Sequence, residues 1–193
     1  MALPTYDKSK RRTTFEQLPK GAYVVKILGA KEEHNDNGSY IAMAFDIAEG
    51  EHKGIYQRQF DNNTSEDKKW PFDGVFNLTV PDDSSPEYVW RNWNTFFADL
   101  EDSNAGFTFT GDVKTLKGKL IGGKFHYKQS QGNNGKVYNN TKMKWTCVAE
   151  DVRKGSVGRM PDDKLINSAP ATNPAELDGF VNLPADGADE LPF

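Results

Sequence analysis

The fold class of this chain is decided by one stretch, Ser39-Tyr40-Ile41-Ala42-Met43-Ala44-Phe45-Asp46-Ile47-Ala48. Its large apolar residues recur at every second position, as Ile41, Met43, Phe45 and Ile47. Successive side chains of a β-strand point to opposite faces of a sheet, so this alternation predicts a strand with one face in a hydrophobic core. We therefore expect a fold that is built mainly from β-structure.

Two further strands are predicted on either side of this one in the chain. Residues 21–30 are rich in apolar and β-branched side chains, and the turn-forming residues 35–38 connect them to the central strand. After a second polar turn, a third strand is expected at residues 55–60. It would place Tyr56, Arg58 and Phe60 on one face, because side chains in a strand alternate.

A helix and two more strands are predicted in the second half of the chain. Ser84-Ser85-Pro86 offers a helix start, and apolar residues then recur at helical spacing to about Leu100. Strands are expected at residues 119–128 and 136–152, joined by a turn rich in Gly and Asn. The order of three strands, a helix and two strands matches the OB-fold, a five-stranded Greek-key barrel with a helix between strands 3 and 4.

The composition divides the chain into three parts. Residues 1–14 form a basic N-terminal arm, residues 15–153 the OB-fold domain, and residues 154–193 a disordered acidic C-terminal tail. In the tail the periodicity vanishes, and Gly, Pro, Asn, Ala and Asp dominate. From Ser156 onward there are seven acidic and two basic residues, so this part carries a net charge of −5.

A basic block lies within the domain. The segment from Val113 to Ala149 contains eight lysines and no acidic residue, although the whole chain has a formal net charge of −4. Glycines and aromatic residues are interspersed among these lysines. Cations mixed with flat side chains are typical of a site for a polyanion such as a nucleic acid.

Several classes of function are disfavoured by the residues present. A single cysteine, Cys147, excludes an internal disulfide, and the three histidines lack metal-ligand spacing. The sequence has no HExxH, P-loop or Gly-x-Ser-x-Gly motif, so we expect no enzyme, no cofactor and no metal site. It has neither a signal peptide nor an apolar run of about 18 residues, so we expect a cytoplasmic protein without membrane contact.

The final residues, Asp189-Glu190-Leu191-Pro192-Phe193, suit recognition by another protein. They offer a ring for an apolar pocket, a carboxylate for a basic residue and acids for a basic rim. This ending resembles the C-terminal tip of bacterial and phage single-stranded DNA-binding proteins (SSB). That resemblance implies that the tip recruits DNA-processing enzymes of replication, recombination or repair.

The body of the chain carries a second resemblance. The phrases Leu18-Pro19-Lys20-Gly21-Ala22-Tyr23, His52-Lys53-Gly54 and Leu116-Lys117-Gly118-Lys119 resemble a phage-encoded family of OB-fold SSB-like proteins. This resemblance covers roughly residues 15–153. It implies sequence-independent binding and protection of single-stranded DNA, in a bacterial cell or phage-infected host.

Candidate DNA-binding residues follow from the physics of such a site, which needs cations for phosphates and flat rings for bases. The rings are Tyr40, Tyr56, Phe60, Tyr127 and Tyr138, and the cations are Arg58, Lys124, Lys128, Lys136, Lys142 and Lys144. In the fifth strand, alternation predicts that Lys142 and Lys144 share a face with Tyr138, whereas Trp145 belongs to the core.

Two other functions remain open at this stage. One is a recombination mediator or annealing protein, which binds single strands but promotes pairing through large rings. The other is an OB-fold protein-interaction module that binds no DNA and whose acidic tail mimics nucleic acid. The oligomeric state is open as well.

Overall fold

The computed structural model describes residue 5 and residues 16–36, 38–132 and 135–166. The strands and helices are β1 (Gly21–Asn35), β2 (Gly38–Ile47), α1 (Ile55–Asp61), β3 (Val75–Thr79), α2 (Glu87–Ser103), β4 (Leu120–Gln131), β5 (Val137–Cys147) and α3 (Ala149–Lys154). Two 3₁₀ turns lie at Phe72–Gly74 and Val113–Leu116. Among the helices described, none is both long and apolar enough to cross a membrane.

The strands form one open antiparallel sheet in the order β3-β2-β1-β4-β5. Its central strand, β1, pairs with β4 through Gly21–Lys26 and with β2 through Val25–Asn35. The register with β2 shifts between Ile27 and Gly29, and such an irregularity bends a strand and increases its twist. The prediction of a mainly β fold is confirmed.

The alternation in β2 has the expected consequence. Ile41, Met43, Phe45 and Ile47 are all buried in one core, together with apolar residues from β1, β4 and α2. Burying each such side chain contributes about 1.5–3 kcal/mol, so β2 alone supplies a large share of the hydrophobic stabilisation of the fold. The helix predicted after Pro86 is confirmed as α2, and it places Phe96 in this core.

The third predicted strand is wrong, because residues 55–61 form helix α1. The backbone N–H groups of Tyr56 and Gln57 donate to the carboxylate of Asp46, at 3.0 Å each. A side chain of β2 thereby satisfies free donors in the first turn of the helix, as a cap residue does. The third strand is instead Val75–Thr79, which pairs with β2.

The predicted boundary between domain and tail at residue 154 falls too early. Lys154 ends α3, and residues 155–166 then run beside β4. The N–H of Lys164 donates to the carbonyl of Tyr127, and the N–H of Gln129 donates to the carbonyl of Lys164, both at 2.8 Å. The folded part therefore extends to Ile166, whereas the arm (except Thr5) and residues 167–193 lie outside the described residues.

Candidate nucleic-acid interface

The outer side of the β4–β5 hairpin brings together three of the six predicted phosphate ligands, Lys124, Lys128 and Lys142. Residues that lie opposite each other in an antiparallel pair share a face. Phe125 and Met143 are opposite each other and belong to the core, so their strand neighbours point outward. We call this outward set the hairpin face; it comprises Lys124, His126, Lys128, Ser130, Tyr138, Asn140, Lys142 and Trp145.

A β-bulge changes the expected composition of this face. Lys124 lies opposite Trp145, but the next residue of β4 lies opposite Met143, so Lys144 is an extra residue in β5. The bulge breaks the simple alternation from which Lys142 and Lys144 were predicted to share a face. Trp145 is half-buried and belongs to the hairpin face rather than to the core, and Lys144 Nζ lies 5.2 Å from its ring centroid.

Lys142 is the most enclosed cation of the hairpin face. Its side chain is 12% exposed, and Nζ lies 3.3 Å from Asp73 Oδ1. Nζ also donates to the backbone carbonyl of Phe72 and lies 3.0 Å from the centroid of its ring. Burial lowers the pKa of Lys142 to about 7, against the attraction of Asp73.

The end of the hairpin beside the turn between β4 and β5 is the more accessible one. Tyr138 is 42% exposed, and Lys136 Nζ lies 5.5 Å from its ring centroid. Lys128 is half-buried opposite Asn140, between Tyr138 and Lys142 along the strand direction. Cations and a ring thus alternate along this end of the face, which is what an unstacked nucleic-acid strand requires.

The first part of β4 is covered by the segment after α3. Lys124 Nζ donates to the carbonyl of Arg159 at 3.1 Å. His126 Nδ1 donates to the carbonyl of Asp162 at 2.7 Å, and burial lowers the pKa of this imidazole. Lys124 and His126 are therefore engaged within the chain, and an incoming strand would meet Lys128 first.

The predicted ligands on residues 55–60 do not lie on the hairpin face, since no strand forms there. Tyr56 is only 1% exposed and contacts Phe45 edge-on, at 5.6 Å between ring centroids. Its expected outward orientation is wrong, and burial raises the pKa of its hydroxyl. Phe60 packs beside Trp70 at 5.7 Å, and Arg58 forms an ion pair with Glu16 at 3.2 Å.

The two remaining predicted rings also lie apart from the hairpin face. Tyr127 is opposite Thr141, on the other side of the hairpin, and Lys20 Nζ lies 5.3 Å from its ring centroid. Tyr40 is half-buried on β2, opposite Glu33 of β1 and Thr79 of β3. The structure thus places Lys124, Lys128 and Lys142 on one face with Tyr138, but not with these rings.

One exposed ring beside the hairpin face was missed by the sequence reasoning. Phe72 is 59% exposed and lies next to Lys142. The available signal was the run Trp70-Pro71-Phe72 inside an otherwise polar connection. Asp189–Phe193, the predicted partner-binding residues, lie outside the described residues.

No protein-family profile matches the sequence, and a search of curated proteins finds no match. Within residues 16–36, 38–132 and 135–166, no three His, Cys, Asp or Glu side chains are grouped so that they could hold a metal ion.

Proposed function

We propose that this chain binds single-stranded DNA without sequence preference. The observation that carries the proposal is the hairpin face, where Lys128 and Lys142 lie along one side of the sheet with the exposed ring of Tyr138. Lysines can neutralise phosphates, and a ring can stack on any base. Because stacking does not depend on base identity, such a surface binds strands of many sequences.

An OB-type barrel is the second part of the proposal. In a Greek key, three hairpin-connected strands are followed by a fourth that returns by a long connection to lie beside the first. The order β3-β2-β1-β4 has this form, with α2 in the connection between β3 and β4. Adding β5 beside β4 gives a five-stranded, partly open barrel of the kind that binds oligonucleotides.

The cellular role follows from the resemblances in the sequence. Protection of single strands during DNA replication, recombination or repair, in a bacterial or phage-infected cell, agrees with an SSB-like domain. Recruitment of DNA-processing proteins through Asp189–Phe193 completes this role. A pull-down with the wild type and with Phe193→Ala tests the recruitment separately from DNA binding.

The DNA-binding proposal is tested by fluorescence titration with oligo(dT) and with duplex of equal length, each at two salt concentrations. We expect tighter binding of oligo(dT) and a loss of affinity at higher salt, because bound lysines release counterions. Equal affinity for duplex, or affinity that does not change with salt, contradicts the proposal. Absence of oligo(dT) binding at low salt favours the protein-interaction module, and a salt-resistant ring in light scattering favours the annealing protein.

A matched pair of lysine variants locates the site. Lys128→Gln removes a cation from the hairpin face, whereas Lys114→Gln removes one from the 3₁₀ turn Val113–Leu116. On single strands each phosphate contact contributes about 0.7 to the slope of log affinity against log salt. We expect Lys128→Gln to lower the slope by about this amount and Lys114→Gln to leave it unchanged.

A further inference from the structure

Phe72 is held in a fixed position although most of its ring is exposed. It begins the 3₁₀ turn Phe72–Gly74, in which the N–H of Gly74 donates to the carbonyl of Pro71 at 2.9 Å. Trp70 Nε1 donates to the carbonyl of Gly74 at 3.1 Å, which ties the turn to the preceding residues. An aromatic ring that is 59% exposed on a constrained turn contributes little to the core.

The surroundings of this ring match those of a base-stacking residue. Lys142 Nζ lies 3.0 Å from the ring centroid, so the ammonium covers one side of the ring. The large exposed fraction of Phe72 therefore belongs to the remaining side and edge. A base that stacked there would bring its phosphate close to the cations Lys142 and Lys128 of the hairpin face.

The distance to the next exposed ring also fits a nucleic-acid strand. Tyr138 and Lys142 are four residues apart on the same face of β5, which corresponds to about 13 Å at about 3.3 Å per residue. Asn140 and Lys128 lie between them. Consecutive nucleotides of one strand are about 3.4 Å apart even when fully stacked, so a few nucleotides span the two rings.

We propose that Phe72 stacks on a base of bound single-stranded DNA, and that the turn before β3 therefore belongs to the DNA path together with the hairpin face. This inference rests on the proposed function. It adds a binding residue from outside β4 and β5. It also places the bound DNA between β3 and β5, the two end strands of the sheet.

The test compares oligo(dT) with an abasic oligonucleotide of the same length, which retains the phosphates but has no bases. Replacement of Phe72 by Ala should weaken oligo(dT) binding about 5- to 150-fold, the range for one lost stack. Binding of the abasic strand should not change. Phe72→Leu should show the same selective loss while keeping an apolar group beside Lys142, and Phe72→Trp should retain affinity.

Trp90→Ala is the matched control, because this ring is exposed on α2. It should leave binding of both oligonucleotides unchanged. Failure of the wild type to bind oligo(dT) overturns the proposed function and this inference together. The stacking role alone is overturned if the wild type binds oligo(dT) and the Ala and Leu variants bind it as tightly as the wild type does. It is also overturned if these variants lose affinity for oligo(dT) and for the abasic strand by the same factor.

Discussion

The ammonium of Lys142 on β5 lies 3.3 Å from the carboxylate of Asp73 in the turn that precedes β3. β3 and β5 are the two ends of the sheet and are not hydrogen-bonded neighbours. The ion pair therefore links β5 to the turn before β3, and so joins the two ends of the open sheet. Burial raises the pKa of Asp73 and lowers that of Lys142, so both groups are held near each other at a cost in hydration.

Removing the carboxylate should destabilise the fold. In Asp73→Asn, Lys142 stays enclosed without its counter-charge, and we expect a loss of about 1–3 kcal/mol in the free energy of unfolding. Side-chain exposures of 12% and 15% argue against a larger cost. Urea denaturation measures the change. The double variant Asp73→Asn/Lys142→Met should regain part of the loss, because it leaves no buried charge unpaired.

The cost of Asp73→Asn should also depend on pH. The pKa of Lys142 is about 7 when folded and 10.5 for the ordinary amine, so the unfolded chain binds more protons between these values. Stability from this group therefore rises with pH across that window. Without Asp73 the folded pKa of Lys142 falls further, so the penalty should be larger just below pH 7 than at alkaline pH. At lower pH the penalty should shrink again, because Asp73, whose pKa burial raises, becomes protonated in the wild type. A penalty that is constant with pH would contradict this account of the pair.

DNA affinity should fall as the pH rises through 7, because Lys142 then loses the proton that attracts phosphate. Burial lowers the pKa of His126, which moves its titration in the acidic direction, away from this window. Titration with oligo(dT) at several pH values measures the effect. Lys142→Gln should abolish the pH dependence of DNA affinity. Lys128→Gln should weaken binding but leave the pH dependence in place. An unchanged pH dependence in Lys142→Gln would exclude Lys142 as the group responsible.

The elements that sequence patterns predicted are those in which local periodicity and burial agree. The large apolar residues that repeat along β2 and α2 all lie in or against the core, so both elements were recognised, although the small residues between those of β2 are buried as well. Helix α1 was mistaken for a strand because its first turn depends on Asp46, which lies ten residues from Tyr56 in sequence. No pattern within residues 55–60 predicts a hydrogen bond to a residue so far away in the sequence.

The candidate site was predicted in part for a similar reason. Alternation placed Tyr138 and Lys142 together, as their register with β4 does. The extra residue Lys144 reverses the alternation beyond that point, so Trp145 was assigned to the wrong face. A bulge depends on how two strands pair, and a single strand's sequence does not reveal it. Phe72 was missed because its position depends on packing against β5.

Variants of Tyr138 and Tyr56 should differ, because the first ring is exposed on the hairpin face and the second is buried in the core. Tyr138→Ala should weaken oligo(dT) binding by about 1–3 kcal/mol and leave thermal stability nearly unchanged, because the ring is exposed. Tyr56→Ala should cost about 3–5 kcal/mol of folding free energy, as expected for a large buried ring. Titration and urea denaturation of both variants measure these effects. Unchanged binding by folded Tyr138→Ala would remove this ring from the site.

Two truncations test where the folded part ends and what the acidic residues do. A chain ending at Lys154 loses the hydrogen bonds from residues 155–166 to Tyr127 and Gln129, including the 3.0 Å bond from Tyr127 N–H to Asp163. Four such bonds are lost, so at about 0.5–1.5 kcal/mol each we expect this chain to be less stable by about 2–6 kcal/mol. A chain ending at Ile166 keeps these bonds and should unfold like the full chain.

The chain ending at Ile166 should bind oligo(dT) as tightly as the full chain at high salt and more tightly at low salt. Residues 167–193 contain five acidic and no basic residues, so we expect them to compete with DNA for the lysines of the hairpin face as a tethered polyanion. Salt screens that competition, so the difference between the two chains should shrink as the salt concentration rises. Titrations at two salt concentrations measure it. Markedly weaker binding by this truncated chain would show that residues 167–193 contribute to the site, and the separation of a DNA-binding domain from a recruiting tail would then be wrong.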